Sequence, residues 1–195
     1  MKFSLFAVAL STLAAASPTP DMEQNEKRVV DLLKPKGNNI PFTFTSTWEV
    51  VATPEQVVDA ENKLTGGLKG SKGLFKFGIN SVEDIICYNI TLYGFRGNFQ
   101  SPANTATHIH EAVKGKSGPP RIAFPNPVGN EKVRTSIGCL QGPFRTGVIA
   151  NGKDTGAGFT LKQIEKNPKQ FFADSHSSLA VPGAFRGQLD SGRKC

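Results

Sequence analysis

His108 and His110, one residue apart, are the side chains of this 195-residue chain whose types and spacing most clearly suggest chemistry. Side chains at positions i and i+2 of a strand project from the same face, about 6 to 7 Å apart along the strand. Two imidazoles at that spacing can bind one metal ion, whereas Glu111 would point to the opposite face and is expected to be structural. The alternative interpretation is a pair of histidines on a solvated strand face.

The third histidine of the chain, His176, shares a predicted strand face with Phe172 and Asp174. If this strand lies near the first, three imidazoles can converge. Three neutral imidazoles suit copper or zinc as a cofactor, and copper is favoured by its higher intrinsic affinity. Asp174 would then orient an imidazole without binding the ion itself, or else would be a surface carboxylate.

Arg186 is a candidate for guiding a small anion to such a metal. It lies in the stretch 182–189, where alternation places Phe185 and Leu189 in the core and Arg186 on the other face with Gln188. A fixed guanidinium near a metal attracts anions. The alternative is an ordinary surface arginine, since most arginines in proteins are exposed.

Short strands separated by glycine- and proline-rich turns are the elements that must position these side chains. The pattern predicts an all-β fold, an antiparallel β-sandwich or Greek-key barrel with one or two short helices. Helix-start signals predict those helices over residues 54–61 and from 160 to just before 167. The expected strands cover residues 42–51, 74–79, 85–93, 105–112, 121–124, 133–140, 144–149, 171–177 and 184–189.

The N-terminal residues read as targeting and processing segments. Residues 1–16 fit a signal peptide, and residues 17–28, which end in a dibasic pair, fit a propeptide or a disordered tail, so that 29–195 form a single domain. We therefore expect an extracellular, secreted protein with no membrane span. The net charge of +7 favours an anionic partner, but the basic residues are scattered and do not indicate nucleic acid.

Three cysteines, Cys87, Cys139 and Cys195, allow only one internal disulfide, and the sequence does not fix the pairing. We favour Cys87–Cys139, because Cys195 is the last residue. Asn89 begins a glycosylation sequon, and strand alternation places its side chain toward solvent, as glycosylation requires.

Four stretches of the chain stand out, "TATHIHEA", "GPPRIAF", "NPKQFFADSHSS" and "PGAFRGQL". Together they resemble one known family, the CHRD domain named after chordin. The resemblance covers roughly residues 48–189, and a single domain behind a signal peptide is similar to the secreted fungal branch of that family. It implies an extracellular β-sandwich and does not define an activity.

A weaker similarity, to copper/zinc superoxide dismutases, concerns the order of the candidate site residues. Those β-sandwich enzymes carry His-x-His-Glu on a strand, a later strand histidine and a glycine-rich arginine segment. The resemblance implies that His108, His110 and His176 bind copper and that Arg186 guides superoxide. With three histidines in the chain, a two-metal centre of the dismutase type is excluded.

Three functions remain open at this point. The first is a secreted mononuclear copper protein with dismutase-like redox activity on a small anion such as superoxide. The second is a non-enzymatic binding or adhesion module with a cell-wall or extracellular-matrix partner, in which the histidines are structural. The third, a zinc hydrolase with three histidines and a water, ranks last because no general base is evident.

Overall fold

The computed structural model describes residues 43–190 and 192–194. The predicted signal peptide (1–16), the predicted propeptide (17–28) and Cys195 lie outside these residues. Within the described residues, no helix has the length and apolar character needed to span a bilayer.

Two antiparallel sheets contain most of the strands of the described structure. The six-stranded sheet has the strand order β12-β1-β2-β3-β7-β6, the four-stranded sheet has the order β11-β10-β4-β5, and β8 pairs with β9 as a separate hairpin. The strands are β1 (Ser46–Ala52), β2 (Lys72–Asn80), β3 (Ile85–Tyr93), β4 (Thr107–Glu111), β5 (Pro120–Phe124), β6 (Val128–Gly129), β7 (Val133–Gln141), β8 (Ile149–Ala150), β9 (Lys153–Asp154), β10 (Phe171–Ser177), β11 (Ala180–Gln188) and β12 (Gly192–Lys194).

Aromatic side chains from both sheets meet in the core. Phe77 on β2 stacks on Phe124 of β5 with ring centroids 5.5 Å apart, and Tyr88 on β3 lies 5.0 Å from the same ring. Phe75 on β2 meets Phe185 of β11 edge to face. Because these contacts join the inner faces of the two sheets, the predicted all-β sandwich is confirmed.

The outer face of the six-stranded sheet carries the disulfide. Cys87 on β3 lies directly opposite Cys139 on β7, and the two form the favoured bridge, which confirms that pairing. Asn89, two residues along β3, is exposed as strand alternation predicts. Its glycosylation stays a prediction.

One of the two predicted helices is present as expected. Helix α1, Leu161–Lys166, begins after Thr160, whose backbone N–H donates to the side-chain oxygen of Gln163 at 2.8 Å. This hydrogen bond is one half of the capping box indicated by the sequence. A 3-10 turn, Pro168–Gln170, then leads into β10.

The other predicted helix, over residues 54–61, is wrong. The chain forms only a three-residue 3-10 turn, Pro54–Gln56. Thr53 exchanges both backbone hydrogen bonds with Arg186 of β11, and Val57 accepts a backbone hydrogen bond from Thr65. Pairing with these neighbours uses the backbone groups that a continuing helix would need, so tertiary contacts override the local start signal.

The strand predicted over residues 144–149 is also wrong, because only its last residue belongs to a strand, β8. The carboxylate of Asp154 accepts hydrogen bonds from the backbone N–H groups of Thr146, Gly147 and Gly156. These donors are therefore satisfied by a side chain, which replaces the ladder bonds of a strand.

Candidate metal centre

Antiparallel pairing of β4 with β10 brings the three histidines and Asp174 together. Asp174 lies directly opposite His108 in the register, and His110 lies opposite Phe172. His176 follows two residues after Asp174 and so projects from the same face. This face is the outer one of the four-stranded sheet, since the alternating residues Ile109 and Ala173 are in the core.

The outer face is nevertheless shielded from solvent at this point. His108, His110 and Asp174 are buried, and the side chain of His176 is only 13% exposed. The cover comes from three segments that carry pocket-lining residues, namely Val57 and Val58, Ser117 and Gly118, and Pro182 and Gly183. Four polar side chains therefore share one largely desolvated volume.

The ligand-type atoms of this cluster lie close to one another. The Nε2 atom of His110 is 3.2 Å from Nδ1 of His108 and 3.4 Å from Oδ2 of Asp174. The Nε2 atom of His176 is 3.1 Å from Oδ2 of Asp174, and Nδ1 of His108 is 3.5 Å from Oδ1. All four donor atoms lie within 4.8 Å of one another, so one ion could contact all of them.

Each imidazole uses its other nitrogen to bind a backbone carbonyl. A carbonyl oxygen only accepts, so the nitrogen that faces it must carry the hydrogen. In a neutral imidazole the inner nitrogen then has a free lone pair directed at the cluster. The three bonds are His108 Nε2 to Thr105 O (2.7 Å), His110 Nδ1 to Gly118 O (2.8 Å) and His176 Nδ1 to Val181 O (2.9 Å).

The electrostatics of the metal-free cluster centre on Asp174. Burial opposes the charge on this carboxylate, but the imidazoles of His110 and His176 outweigh it and hold the pKa of Asp174 well below its usual range. Burial also works against a protonated His176, yet the carboxylate prevails and raises the pKa of His176 to about 9. For His108, burial dominates and lowers the pKa. The metal-free cluster therefore stabilises a positive charge on His176 beside the carboxylate of Asp174.

Arg186, predicted to guide anions, lies next to the cluster but has other contacts. Its guanidinium donates to Lys116 O at 2.7 Å and Val113 O at 2.9 Å and stacks on the Phe172 ring, with its central carbon 3.5 Å from the ring centroid. Burial lowers the pKa of Arg186 to about 10, against the opposing effect of Asp174. Anion guidance therefore remains a prediction.

A small pocket of about 50 Å³ leads to the cluster. His110, Asp174, His176 and Arg186 line its polar part, and Val57 and Pro182 are among its apolar residues. A space of this size admits one or two water-sized molecules and excludes larger substrates. Any reactant at the cluster would have to be very small.

The sequence left two roles open for Asp174, orienting an imidazole or lying at the surface; its carboxylate is buried, and its oxygens lie among the ligand-type atoms of the cluster. Asp174 and His176 lie two residues apart on one strand and so project from the same face, which is the sequence signal that could have placed Asp174 in the cluster. The carbonyls of Thr105, Gly118 and Val181 were missed, because a backbone contact leaves no mark in residue type. Glu111, expected to be structural, pairs with Arg121 at 2.7 Å.

The four stretches that resemble a known family lie within one match to a family model. A family model, the CHRD domain, matches residues 48–189, which is more than half of the chain. The chain belongs to the CHRD family. The predicted CHRD resemblance is thereby confirmed, and the match spans His108, His110, Asp174, His176 and Arg186 of the CHRD domain.

No curated protein and no solved structure matches this CHRD protein. The weaker similarity to copper/zinc superoxide dismutases is therefore not supported by these comparisons. What the metal-type cluster of the domain does has to be argued from its own geometry.

Proposed function

We propose that this CHRD domain binds one transition-metal ion through His108, His110, His176 and Asp174. The spacing of the donor atoms carries the proposal. A tetrahedral ion with bonds of about 2.0 to 2.1 Å requires ligand atoms about 3.3 to 3.4 Å apart. Four of the separations among inner nitrogens and carboxylate oxygens run from 3.1 to 3.5 Å and involve both oxygens of Asp174, and one ligand atom from each residue lies within 4.8 Å of the others.

The hydrogen bonding of the cluster supports the same proposal. Nε2 of His176 and Oδ1 of Asp174 are buried without a well-aligned hydrogen bond, and their nearest polar contacts are the ion pairs within the cluster, at 3.1 Å to Asp174 Oδ2 and 3.5 Å to His108 Nδ1. Buried polar atoms are normally paired, because an unpaired one costs about 1 to 3 kcal/mol. A cation between the four side chains would replace the Nε2 hydrogen of His176 and contact both atoms at once.

The carboxylate bears on which ion is bound. Three imidazoles alone favour copper by intrinsic affinity. Three imidazoles with one carboxylate in a tetrahedral arrangement suit zinc, because zinc accepts nitrogen and oxygen ligands without a geometric preference, whereas Cu(II) prefers a square-planar or tetragonal site. We therefore place zinc ahead of copper, and Asp174 is the residue that reverses the order expected from sequence.

A zinc ion with four protein ligands is structural, since catalytic zinc keeps one position open. The proposed function is a metal-stabilised extracellular binding module with a cell-wall or matrix partner, in which the ion crosslinks β4 and β10. Secretion is supported by the Cys87–Cys139 bridge, because disulfides persist in oxidising compartments, and by the exposed sequon at Asn89.

Copper-dependent redox activity is the second candidate, and the pocket is the observation that favours it. The pocket reaches His110, His176 and Asp174, is lined by Arg186 and has room for a small anion such as superoxide. In this case Asp174 would not occupy a ligand position permanently, and copper would keep a site open to the pocket.

Metal analysis of the natively purified protein tests the proposal. We expect one zinc per chain, no copper spin-resonance signal and no superoxide consumption. Asp174→Asn should lose most of the bound metal, whereas Asp190→Asn, which changes an exposed carboxylate outside the cluster, should retain it. One copper per chain with superoxide consumption would support the second candidate. Absence of stoichiometric metal, also after incubation of the metal-free protein with either ion, would overturn both.

A further inference from the structure

We propose that Arg186 is a positioning residue for His110, which it holds in the tautomer that can bind metal. The proposal rests on the proposed metal-binding function and assigns a new role to a residue expected to guide anions. It follows from two separate chains of contacts that run from the guanidinium to the imidazole.

The first chain of contacts runs through the segment 113–118. Arg186 donates from Nη1 to Lys116 O at 2.7 Å and from Nη2 to Val113 O at 2.9 Å. The same segment ends at Gly118, whose carbonyl accepts the Nδ1–H of His110 at 2.8 Å. The guanidinium thus fixes the backbone that carries the acceptor of His110.

Gln188 extends this support to the start of the segment. Its amide donates to Ala112 O at 2.7 Å, and its side-chain oxygen accepts from Nη2 of Arg186 at 3.2 Å. The side chains of residues 113–117 are all exposed, so they add little packing of their own. The segment is held in position by the hydrogen bonds from Arg186 and Gln188, together with the one that the backbone N–H of Ser117 donates to Oδ1 of Asn62 at 2.8 Å.

The second chain of contacts runs through Phe172. The guanidinium carbon of Arg186 lies 3.5 Å from the centroid of this ring. The imidazole of His110 stacks on the same ring, with centroids 4.9 Å apart and planes inclined by only 11°. Phe172 therefore transmits the position of the guanidinium to the plane of the imidazole.

The consequence concerns which nitrogen of His110 carries the hydrogen. When Gly118 O is in place at 2.8 Å, it holds the hydrogen of a neutral His110 on Nδ1 against the longer contacts of Nε2 with His108 Nδ1 (3.2 Å) and Asp174 Oδ2 (3.4 Å), and Nε2 presents its lone pair to the cluster. When the segment moves, the Nε2–H tautomer becomes populated and places a hydrogen where the ion must bind. Loss of an outer contact of this kind typically weakens metal binding by about 10 to 100-fold.

Arg186→Lys tests the role with little change in size and keeps a basic side chain. A lysine ammonium is a compact point charge without the planar fork, so it cannot bind two separate carbonyls and stack on a ring at once. We expect zinc affinity, measured by competition with a chromophoric chelator, to fall by about 10 to 100-fold. Arg96→Lys is the matched control, because Arg96 also donates to two backbone carbonyls, Gly94 O and Lys69 O, and should leave the affinity unchanged.

A second measurement needs no metal. Nitrogen-15 NMR of the imidazoles in the metal-free protein at alkaline pH reports the tautomer of His110. We expect the Nδ1–H form in the wild type and in Arg96→Lys, and a mixture of tautomers in Arg186→Lys. If the wild type binds no zinc, the proposed function fails, while the tautomer measurement still decides the role of Arg186.

Wild-type tautomer and affinity in a folded Arg186→Lys protein would overturn the role. If that variant does not fold, Phe172→Leu tests the second chain of contacts. This substitution removes the ring between guanidinium and imidazole and keeps an apolar side chain. It should also mix the tautomers of His110, and an unchanged tautomer would refute the proposal.

Discussion

The pKa of His176 predicts how the stability of the metal-free protein depends on pH. Its folded-state pKa of about 9 lies above the ordinary value of 6.5, because the buried carboxylate of Asp174 favours the imidazolium. A raised pKa of a base contributes stability that is fully present below the unfolded pKa and is lost as pH rises through the folded pKa. The loss should therefore fall between pH 6.5 and pH 9.

The magnitude follows from the size of the pKa rise. An increase from 6.5 to about 9 corresponds to about 3 kcal/mol of unfolding free energy. The side chain is only 13% exposed, so little of this interaction is screened by solvent. The other shifted groups among the described residues lie outside the window, because the pKa of His108 is lowered from 6.5 and that of Arg186 lies at about 10.

Urea unfolding of the chelator-treated protein across this window measures the effect. We expect the wild type to lose about 3 kcal/mol of unfolding free energy from pH 6.5 to pH 9. Asp174→Asn removes the charge that raises the pKa, so its curve should be nearly flat, while Asp190→Asn should follow the wild type. A flat wild-type curve, or an equal slope in Asp174→Asn, would refute the assignment of this interaction.

Three further perturbations have expected outcomes. Zinc at one hundred times its dissociation constant should add about 2.7 kcal/mol to the unfolding free energy of the wild type and nothing to His108→Ala, as measured by urea unfolding. Phe124→Ala should cost about 3 to 5 kcal/mol in the same assay, because the ring is fully buried between the sheets. Replacing both Cys87 and Cys139 by serine should cost about 4 kcal/mol, from the 52-residue separation that the bridge closes.

Much of the fold follows from alternation along single strands, but the pairing of strands does not. The parity of β3 places Ile86, Tyr88 and Ile90 in the core, and alternation alone predicts this. The stretch 144–149 has a strand-like sequence too, yet Asp154 takes up its backbone donors from outside the stretch. Local pattern cannot reveal such a competing acceptor, and the same limitation explains the missing helix after Thr53.

In the candidate site, too, the placement of residues within one strand is predictable from the sequence, and the pairing between strands is not. Same-face placement of His108 with His110, and of Asp174 with His176, follows from strand alternation. That the two faces coincide depends on β4 lying next to β10, in a register that pairs residues 66 positions apart, Asp174 with His108. The residue types suggest this register, because the three histidines and Asp174 could then share one ion. Only the structure establishes it.

The sheet and the covering segments contribute different parts of the metal centre. The sheet sets the distances between donor atoms, because register and strand spacing fix where β4 and β10 present their side chains. The carbonyls of Thr105, Gly118 and Val181 lie at strand ends or in the connections, and they determine which nitrogen of each imidazole is free. Changes in those connections should therefore alter metal affinity while leaving the core, and most of the unfolding free energy of the metal-free protein, intact. Arg186 tests this division most directly, because it lies on β11 of the sheet and its guanidinium contacts the covering segment 113–118.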